Sequence, residues 1–236
     1  MTLASRPSAV LVLDFDGTLC IGDDPVLFYA EEIQRRHNAA RGLVDQTREF
    51  FARVRDVPDA PDGYHAVATL ATAAGVPTSV LGEGYLASRR RLDDGEGETN
   101  PPDGVAELLT QVRHHGVQVV LVTNAPAVGA QSWIERQGLG SLIDRLWPDA
   151  GKPAAMPGIL EELAAGLAGP GRLASVGDVW INDVEPAVRR GSAGFFIDRF
   201  GRGDGPCTAA APTFEELAPA IASWAREHLG ADDVAS

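Results

Sequence analysis

Val10-Leu11-Val12-Leu13-Asp14-Phe15-Asp16-Gly17-Thr18-Leu19 is an aliphatic run that stops at two carboxylates one residue apart and then at a glycine. An unbroken apolar run of this kind suits an interior strand of a parallel sheet, which is buried on both faces. Ligands of such sheets bind just beyond the carboxyl ends of the strands, so Asp14 and Asp16 fall where chemistry takes place.

The design recurs along the chain. Val117-Gln118-Val119-Val120-Leu121-Val122 leads into Thr123-Asn124, Leu173-Ala174-Ser175-Val176 into Gly177-Asp178, and Gly194-Phe195-Phe196-Ile197 into Asp198. Leu142-Ile143-Asp144-Arg145-Leu146-Trp147, ahead of Lys152, is a weaker strand candidate. Between these runs Val105, Leu108, Leu109 and Val112 share one helical face, as do Ile159, Leu160, Leu163 and Leu167. Residues 213–229, with Leu217, Ile221 and Trp224 on one side, read as a closing helix, and 230–236 as a frayed end. Strand alternating with helix predicts an α/β fold with a doubly wound parallel sheet.

From 21 to 99 the strand signals vanish. Leu43, Thr47, Phe50, Phe51 and Val54 form an amphipathic stripe, and 64–74 and 78–91 are helical stretches, although Gly82 and Gly84 weaken the second. A glycine-rich then proline-rich passage, Gly95-Glu96-Gly97-Glu98-Thr99-Asn100-Pro101-Pro102, suits a hinge. The expected organisation is a helical insertion over 21–99 in a core formed by 1–20 and 100–236. The insertion follows directly on the paired acids, as a lid would.

Composition narrows the function. A length of 236 residues holds one α/β domain and a small insert. No apolar run approaches the roughly 18 residues needed to cross a bilayer, and Asp14 and Asp16 cut short the apolar run after Arg6 before it could serve as a secretory leader. Two cysteines make no disulfide framework, so a reducing, cytoplasmic setting is expected. A formal charge of −13 opposes nucleic acid as a partner. A small anionic substrate is compatible, because a local cation or metal inverts the local field. Oligomeric state is open. Lysine occurs once, as Lys152, and every other fixed cation is arginine. A compact ammonium does what a broad guanidinium fork cannot.

In chain order the residues at the strand ends are Asp14, Asp16, Thr123, Lys152, Asp178 and Asp183. This set resembles the haloacid-dehalogenase-like hydrolase superfamily, in its phosphatase branch with a helical cap between the first two motifs. Asp14-Phe15-Asp16-Gly17-Thr18 is similar to motif I, Thr123 in Val122-Thr123-Asn124 to motif II, Lys152 in Gly151-Lys152-Pro153 to motif III, and Gly177-Asp178-Val179-Trp180-Ile181-Asn182-Asp183 to motif IV.

The resemblance implies a magnesium-dependent phosphatase acting on a small phosphorylated metabolite. Asp14 would attack phosphorus and form an aspartyl-phosphate. Asp16 would protonate the leaving oxygen and then deprotonate the hydrolytic water. Thr123, Asn124 and Lys152 would hold the phosphoryl group. Mg2+ would sit on Asp14, Asp178 and the main-chain carbonyl of Asp16, with Asp183 reaching it through water or supporting its ligands. Haloacid dehalogenases generally lack the second aspartate, since halide departs without a proton, so Asp16 favours phosphate esters. A phosphomutase of the β-phosphoglucomutase type uses the same apparatus, and a catalytically silent binding protein would be expected to have lost Asp14 or Lys152.

Taken singly, each residue has a plainer reading. Asp-Gly pairs form turns, Asp183 before Val184-Glu185-Pro186 caps a helix, Thr123 is a strand-end hydroxyl and a lone lysine is a surface charge. The ordered set is what carries the signal. In the insertion, Arg35-Arg36 and Arg89-Arg90-Arg91, with Tyr85 one turn before Arg89, are candidates for a second anionic group of the substrate or for solvated charge. His37 and His65 are ambiguous, His114-His115 read as solvent-facing, and Trp133 and Trp224 as packing.

Overall fold

The computed structural model describes residues 7–227. Arg6, residues 228 and 229 of the closing helix and the end at 230–236 lie outside them. The chain divides into two compact units. One takes the residues up to Cys20, Pro101–Ala127 and those from Ile134 onward; the other takes Ile21–Asn100 and Val128–Trp133.

The first unit opens with β1 (Ala9–Leu13), every residue of which is buried. The second unit carries α1 (Asp24–Arg36), α2 (Leu43–Phe51), α3 (Gly63–Ala73) and α4 (Thr78–Asp93). The first resumes with α5 (Val105–His114), β2 (Val117–Val122), α6 (Ala127–Arg136, of which 128–133 group with the second unit), β3 (Arg145–Trp147), α7 (Met156–Leu163) and β4 (Leu173–Gly177). It ends with α8 (Trp180–Asp183), α9 (Glu185–Arg189), β5 (Ala193–Ile197), β6 (Ala209–Ala211) and α10 (Phe214–Glu227). The six strands form one parallel sheet in the order β3-β2-β1-β4-β5-β6. The order runs outward in both directions from β1, the arrangement of a doubly wound α/β core. Among the described residues no helix is long and apolar enough to cross a membrane.

The register fixes the geometry at the carboxyl edge. Leu13 is level with Leu121 of β2 and with Val176 of β4, so the turns after β1, β2 and β4 emerge side by side. Val10 and Val12 pack with Val120, Val122, Met156, Ile159, Leu160 and Leu173 in one apolar layer. The stripe read for α5 is the face it buries, α7 buries Ile159 and Leu160 but ends at Leu163, short of Leu167, and α10 buries Leu217, Ile221 and Trp224.

Three local expectations are corrected and one strand is added. The weak strand begins only at Arg145, because Leu142 closes a 3-10 turn over Gly140–Leu142. The strand β6, three alanines paired with β5, carries no sequence signal. Val54 does not extend the stripe: α2 ends at Phe51, Arg53 takes a φ of 58° and Val54 is 78% exposed. Gly82 and Gly84 do not interrupt α4. At Gly84 a Cβ would lie 2.8 Å from the Ile33 side chain, so the missing side chain lets α4 approach α1 closely.

Within the helical unit, Val26, Tyr29, Ala30, Ile33, Leu43, Val44, Val67 and Ala71 form the core. Its cations are largely matched by its own acids. Buried Glu32 receives Arg35 at 3.0 Å and also Arg36, while Arg91 donates to Glu31 at 2.7 Å and Glu96 at 2.8 Å with its guanidinium 3.6 Å from the centroid of the Phe28 ring. Arg89 is buried and donates to the Tyr64 hydroxyl at 2.7 Å. Its charge lies beside the rings of Tyr64 and Tyr85. His65 bonds Asp62, the N-cap of α3. Trp133 and Trp224 are buried, His114 is exposed and His115 is half-buried.

Candidate active site

The site is assembled from the ends of β1 and β2, the loop after β3 and the segment after β4. The β1 ladder continues one step past its last residue, since the Asp14 N–H donates to the Val176 carbonyl at 3.0 Å. The chain then turns tightly. The Phe15 carbonyl accepts from the N–H groups of Thr18 at 3.3 Å, Leu19 at 2.9 Å and Cys20 at 2.9 Å, and the Phe15 side chain is fully buried beneath. Gly17 has a φ of 78°, and a Cβ there would lie 2.2 Å from Oδ2 of Asp178. Glycine is therefore required twice over, for the backbone and for the approach of that carboxylate.

Lys152 is brought in from the loop after β3. Its side chain is 2% exposed, and Nζ donates to Oδ1 of Asp14 at 2.7 Å, Oδ1 of Asp183 at 2.6 Å and the Val122 carbonyl at 2.9 Å. All three ammonium protons are engaged. The backbone of Lys152 is held in turn by Asn124, whose Oδ1 accepts from the Lys152 N–H at 2.7 Å and whose Nδ2 donates to the Lys152 carbonyl at 3.0 Å. Thr123 accepts from the Ala125 N–H at 3.0 Å through its hydroxyl, and its own N–H donates to the Trp147 carbonyl at 3.0 Å.

Asp183, at the end of α8, points back at the strand it follows. Its second oxygen accepts from the Val179 N–H at 3.2 Å, and a Cβ on Gly177 would lie 2.3 Å from its carboxyl carbon. Glycine at 177 thus leaves room for the acid. Asp14, Asp178 and Asp183 each offer a carboxylate oxygen, and these atoms lie within 4.8 Å of one another.

The electrostatics follow from that crowding. Burial pushes the Asp14 carboxyl up to about 7; Lys152 pulls the other way, while Asp183 and Asp16 add to the rise. Burial alone would pull the Lys152 ammonium down, but the carboxylates of Asp14 and Asp183 outweigh it and hold the group above the ordinary lysine range. Two carboxylates hold one ammonium and a third lies beside them, so with all groups ionised the cluster carries an uncompensated double negative charge. Buried charge of that kind calls for a cation. Close-set carboxylates are the donor set that a hard divalent ion takes, so the residues fit magnesium.

Of the residues singled out from sequence, Asp14, Lys152, Asp178 and Asp183 converge. Asp16 is half-buried and acts on Asp14 through its charge but stands outside the trio. The Asn124 side chain is occupied with the Lys152 backbone, a clamp that no sequence signal announced. The Val122 carbonyl and the two close-approach glycines, Gly17 and Gly177, were also missed as site elements. Glycine adjoining each acid is a readable signal, whereas a carbonyl is not.

A family model for haloacid dehalogenase-like hydrolases matches residues 9–190. No curated protein sequence matches the chain. Among solved structures, a protein described as a predicted phosphoglycolate phosphatase from Haemophilus somnus superposes with a TM-score of 0.61 at 15% identity, over 90% of this chain and 97% of the other. A hydrolase of the same superfamily from Bacillus subtilis, bound to magnesium, gives 0.58 at 15% identity, over 92% and 99%. An L-2-haloacid dehalogenase gives 0.57 at 16% identity, over 90% and 98%. At these identities the likeness establishes the fold, and it spans both phosphate and halide chemistries. With the family model covering the strands β1 to β4 and all four strand-end motifs, this chain belongs to the haloacid dehalogenase-like hydrolases.

Proposed function

We propose that the protein is a magnesium-dependent phosphatase of a small phosphorylated metabolite, working through an aspartyl-phosphate on Asp14. The observation that carries this reading is the clustering of the Asp14, Asp178 and Asp183 carboxylates, two of them held by the Lys152 ammonium, with Asp16 two residues beyond Asp14. Displacing halide needs neither a metal nor a proton donor, whereas phosphoryl transfer needs concentrated positive charge and an acid for the leaving oxygen.

In this reading the Asp14 carboxylate attacks phosphorus, and the bond to the ester oxygen breaks as Asp16 gives that oxygen its proton. Asp16, now ionised, takes a proton from water, whose oxygen attacks the aspartyl-phosphate; inorganic phosphate leaves and Asp14 is restored. Lys152 fixes the orientation of the Asp14 carboxylate and neutralises charge on the phosphoryl oxygens, and the Thr123 hydroxyl, at the end of β2, donates to them. Magnesium, when held by Asp14, Asp178 and Asp183 with the Asp16 carbonyl, would supply the positive charge that lets an anionic nucleophile approach an anionic ester. Asn124 serves by holding Lys152. The helical insertion over 21–99 is read as the cap that selects the substrate and excludes water, and the cytoplasm as the setting.

Release of inorganic phosphate from a panel of phosphomonoesters, with magnesium and with a chelator, tests the reading. Metal-dependent release that disappears in Asp14→Asn and falls steeply in Asp16→Ala supports it. Halide release from 2-haloacids with no phosphate release overturns it.

A further inference from the structure

We propose that the loop after β5 is a receptor for a second anionic group, so that the preferred substrate is a phosphomonoester that also bears a carboxylate or a further phosphate. The inference rests on the phosphatase reading and adds a substrate class and two specificity-determining residues, Arg199 and Arg202.

Placement comes from the sheet. Gly177 is level with Phe196, so Asp198, the first residue past β5, lies two steps beyond that level at the same carboxyl edge as Asp178. The order β1-β4-β5 sets the end of β5 two strand spacings, about 10 Å, from the end of β1 and Asp14.

The loop is built rather than slack. The Asp198 carboxylate accepts from the N–H groups of Arg202 at 2.8 Å and Gly203 at 2.9 Å, which commits both its oxygens to the backbone. On the return limb, Trp180 donates from Nε1 to the Pro206 carbonyl at 3.1 Å, and a Cβ on Gly205 would lie 2.2 Å from its ring. Trp180 is two residues past Asp178, so the segment bearing a metal-site acid also anchors the loop. Between the anchors, the guanidinium carbons of Arg199 and Arg202 lie 5.5 and 5.4 Å from the centroid of one ring, Phe200. Contact with a shared aromatic restrains two planar forks on one short loop, and each fork is suited to bidentate capture of carboxylate or phosphate. Asp204 is the other acid of the turn and is exposed. In a chain of net charge −13, two arginines gathered at the catalytic edge stand out from the general field. In the helical unit, Arg35, Arg36 and Arg91 bond Glu31, Glu32 and Glu96.

The test uses a matched pair on the full chain with magnesium: 3-phosphoglycerate, with its carboxylate, against glycerol 3-phosphate, which lacks it. Fructose 1,6-bisphosphate against fructose 6-phosphate forms the arm for a second phosphate, and p-nitrophenyl phosphate reports basal chemistry. The wild type is expected to favour at least one doubly anionic member by about tenfold or more in kcat/KM. The double variant Arg199→Ala/Arg202→Ala should bring that ratio close to one while p-nitrophenyl phosphate turnover stays within about twofold, and the double lysine variant should restore part of the preference. Absence of a wild-type preference, a ratio unchanged in the alanine variant, or equal loss on all substrates would each overturn the inference while leaving the phosphatase reading in place. Failure of the wild type to hydrolyse any of the esters would overturn both.

Discussion

Replacing Lys152 by methionine removes a buried ammonium that three acceptors hold at 2.6 to 2.9 Å and leaves a side chain of similar length. Asp14 and Asp183 then face each other with no positive charge between them. Breaking a buried pair from one side costs about 3–5 kcal/mol, because the charge left behind is uncompensated. For a chain of this size that corresponds to a fall in melting temperature of about 6–20 °C. The pH dependence follows from Asp14. Its folded pKa lies above its ordinary 3.8, near 7 even with Lys152 present. The folded state thus binds the extra proton between those values, and stability falls as pH rises through that window and recovers as pH is lowered. Metal-free Lys152→Met should therefore lose most stability above pH 7 and regain part of it toward pH 5, followed by circular dichroism melts. Magnesium should raise the melting temperature of the wild type. A variant within about 1 kcal/mol of wild type at pH 8, less than the cost of an uncompensated buried charge, would refute this electrostatic account.

Gly17→Ala places a methyl group 2.2 Å from Oδ2 of Asp178 and in a left-handed conformation, and should weaken magnesium binding by about tenfold or more, read from the magnesium midpoint of thermal protection. Asn124→Ala removes both bonds to the Lys152 backbone; it should lower stability by about 1–3 kcal/mol and reduce kcat by up to about 100-fold with little change in KM, because it misplaces a group without touching substrate. In the helical unit, hydrogen bonding to Asp62 raises the His65 pKa above 6.5, with burial opposing. The stability this pair contributes is complete below pH 6.5 and is lost as pH rises through the higher folded value. His65→Ala should flatten that segment of the pH–stability curve, and an unchanged curve would remove the pair from the account.

The interior of the sheet was legible because parallel strands buried on both faces are written as largely apolar runs, unbroken in β1 and interrupted only by Gln118 in β2 and Ser175 in β4, with aromatics in the buried part of β5. Edges were not. The strand β6 is three alanines whose pairing is set by their neighbour, and β3 is three residues preceded by a 3-10 turn. Helix ends failed where local backbone overrode periodicity, as at Arg53. In α6, Val128 and Gly129 leave the helical conformation, and 128–133 group with the other unit, a long-range partition that no local pattern encodes. The candidate site was legible in its acids and its single lysine, because charged groups at strand ends have few uses. What escaped notice was the support: Asn124 reads as a polar residue in a turn until its two bonds to the Lys152 backbone are seen.

Covalent phosphorylation of Asp14 is the central step of the proposed reaction. Acid quenching during turnover of a phosphomonoester with magnesium, followed by mass analysis of the peptide containing Asp14, measures this directly. The account predicts a peptide heavier by one phosphoryl group, with the modification on Asp14 and absent from Asp14→Asn. An unmodified peptide under full turnover, with activity surviving in Asp14→Asn, would contradict it.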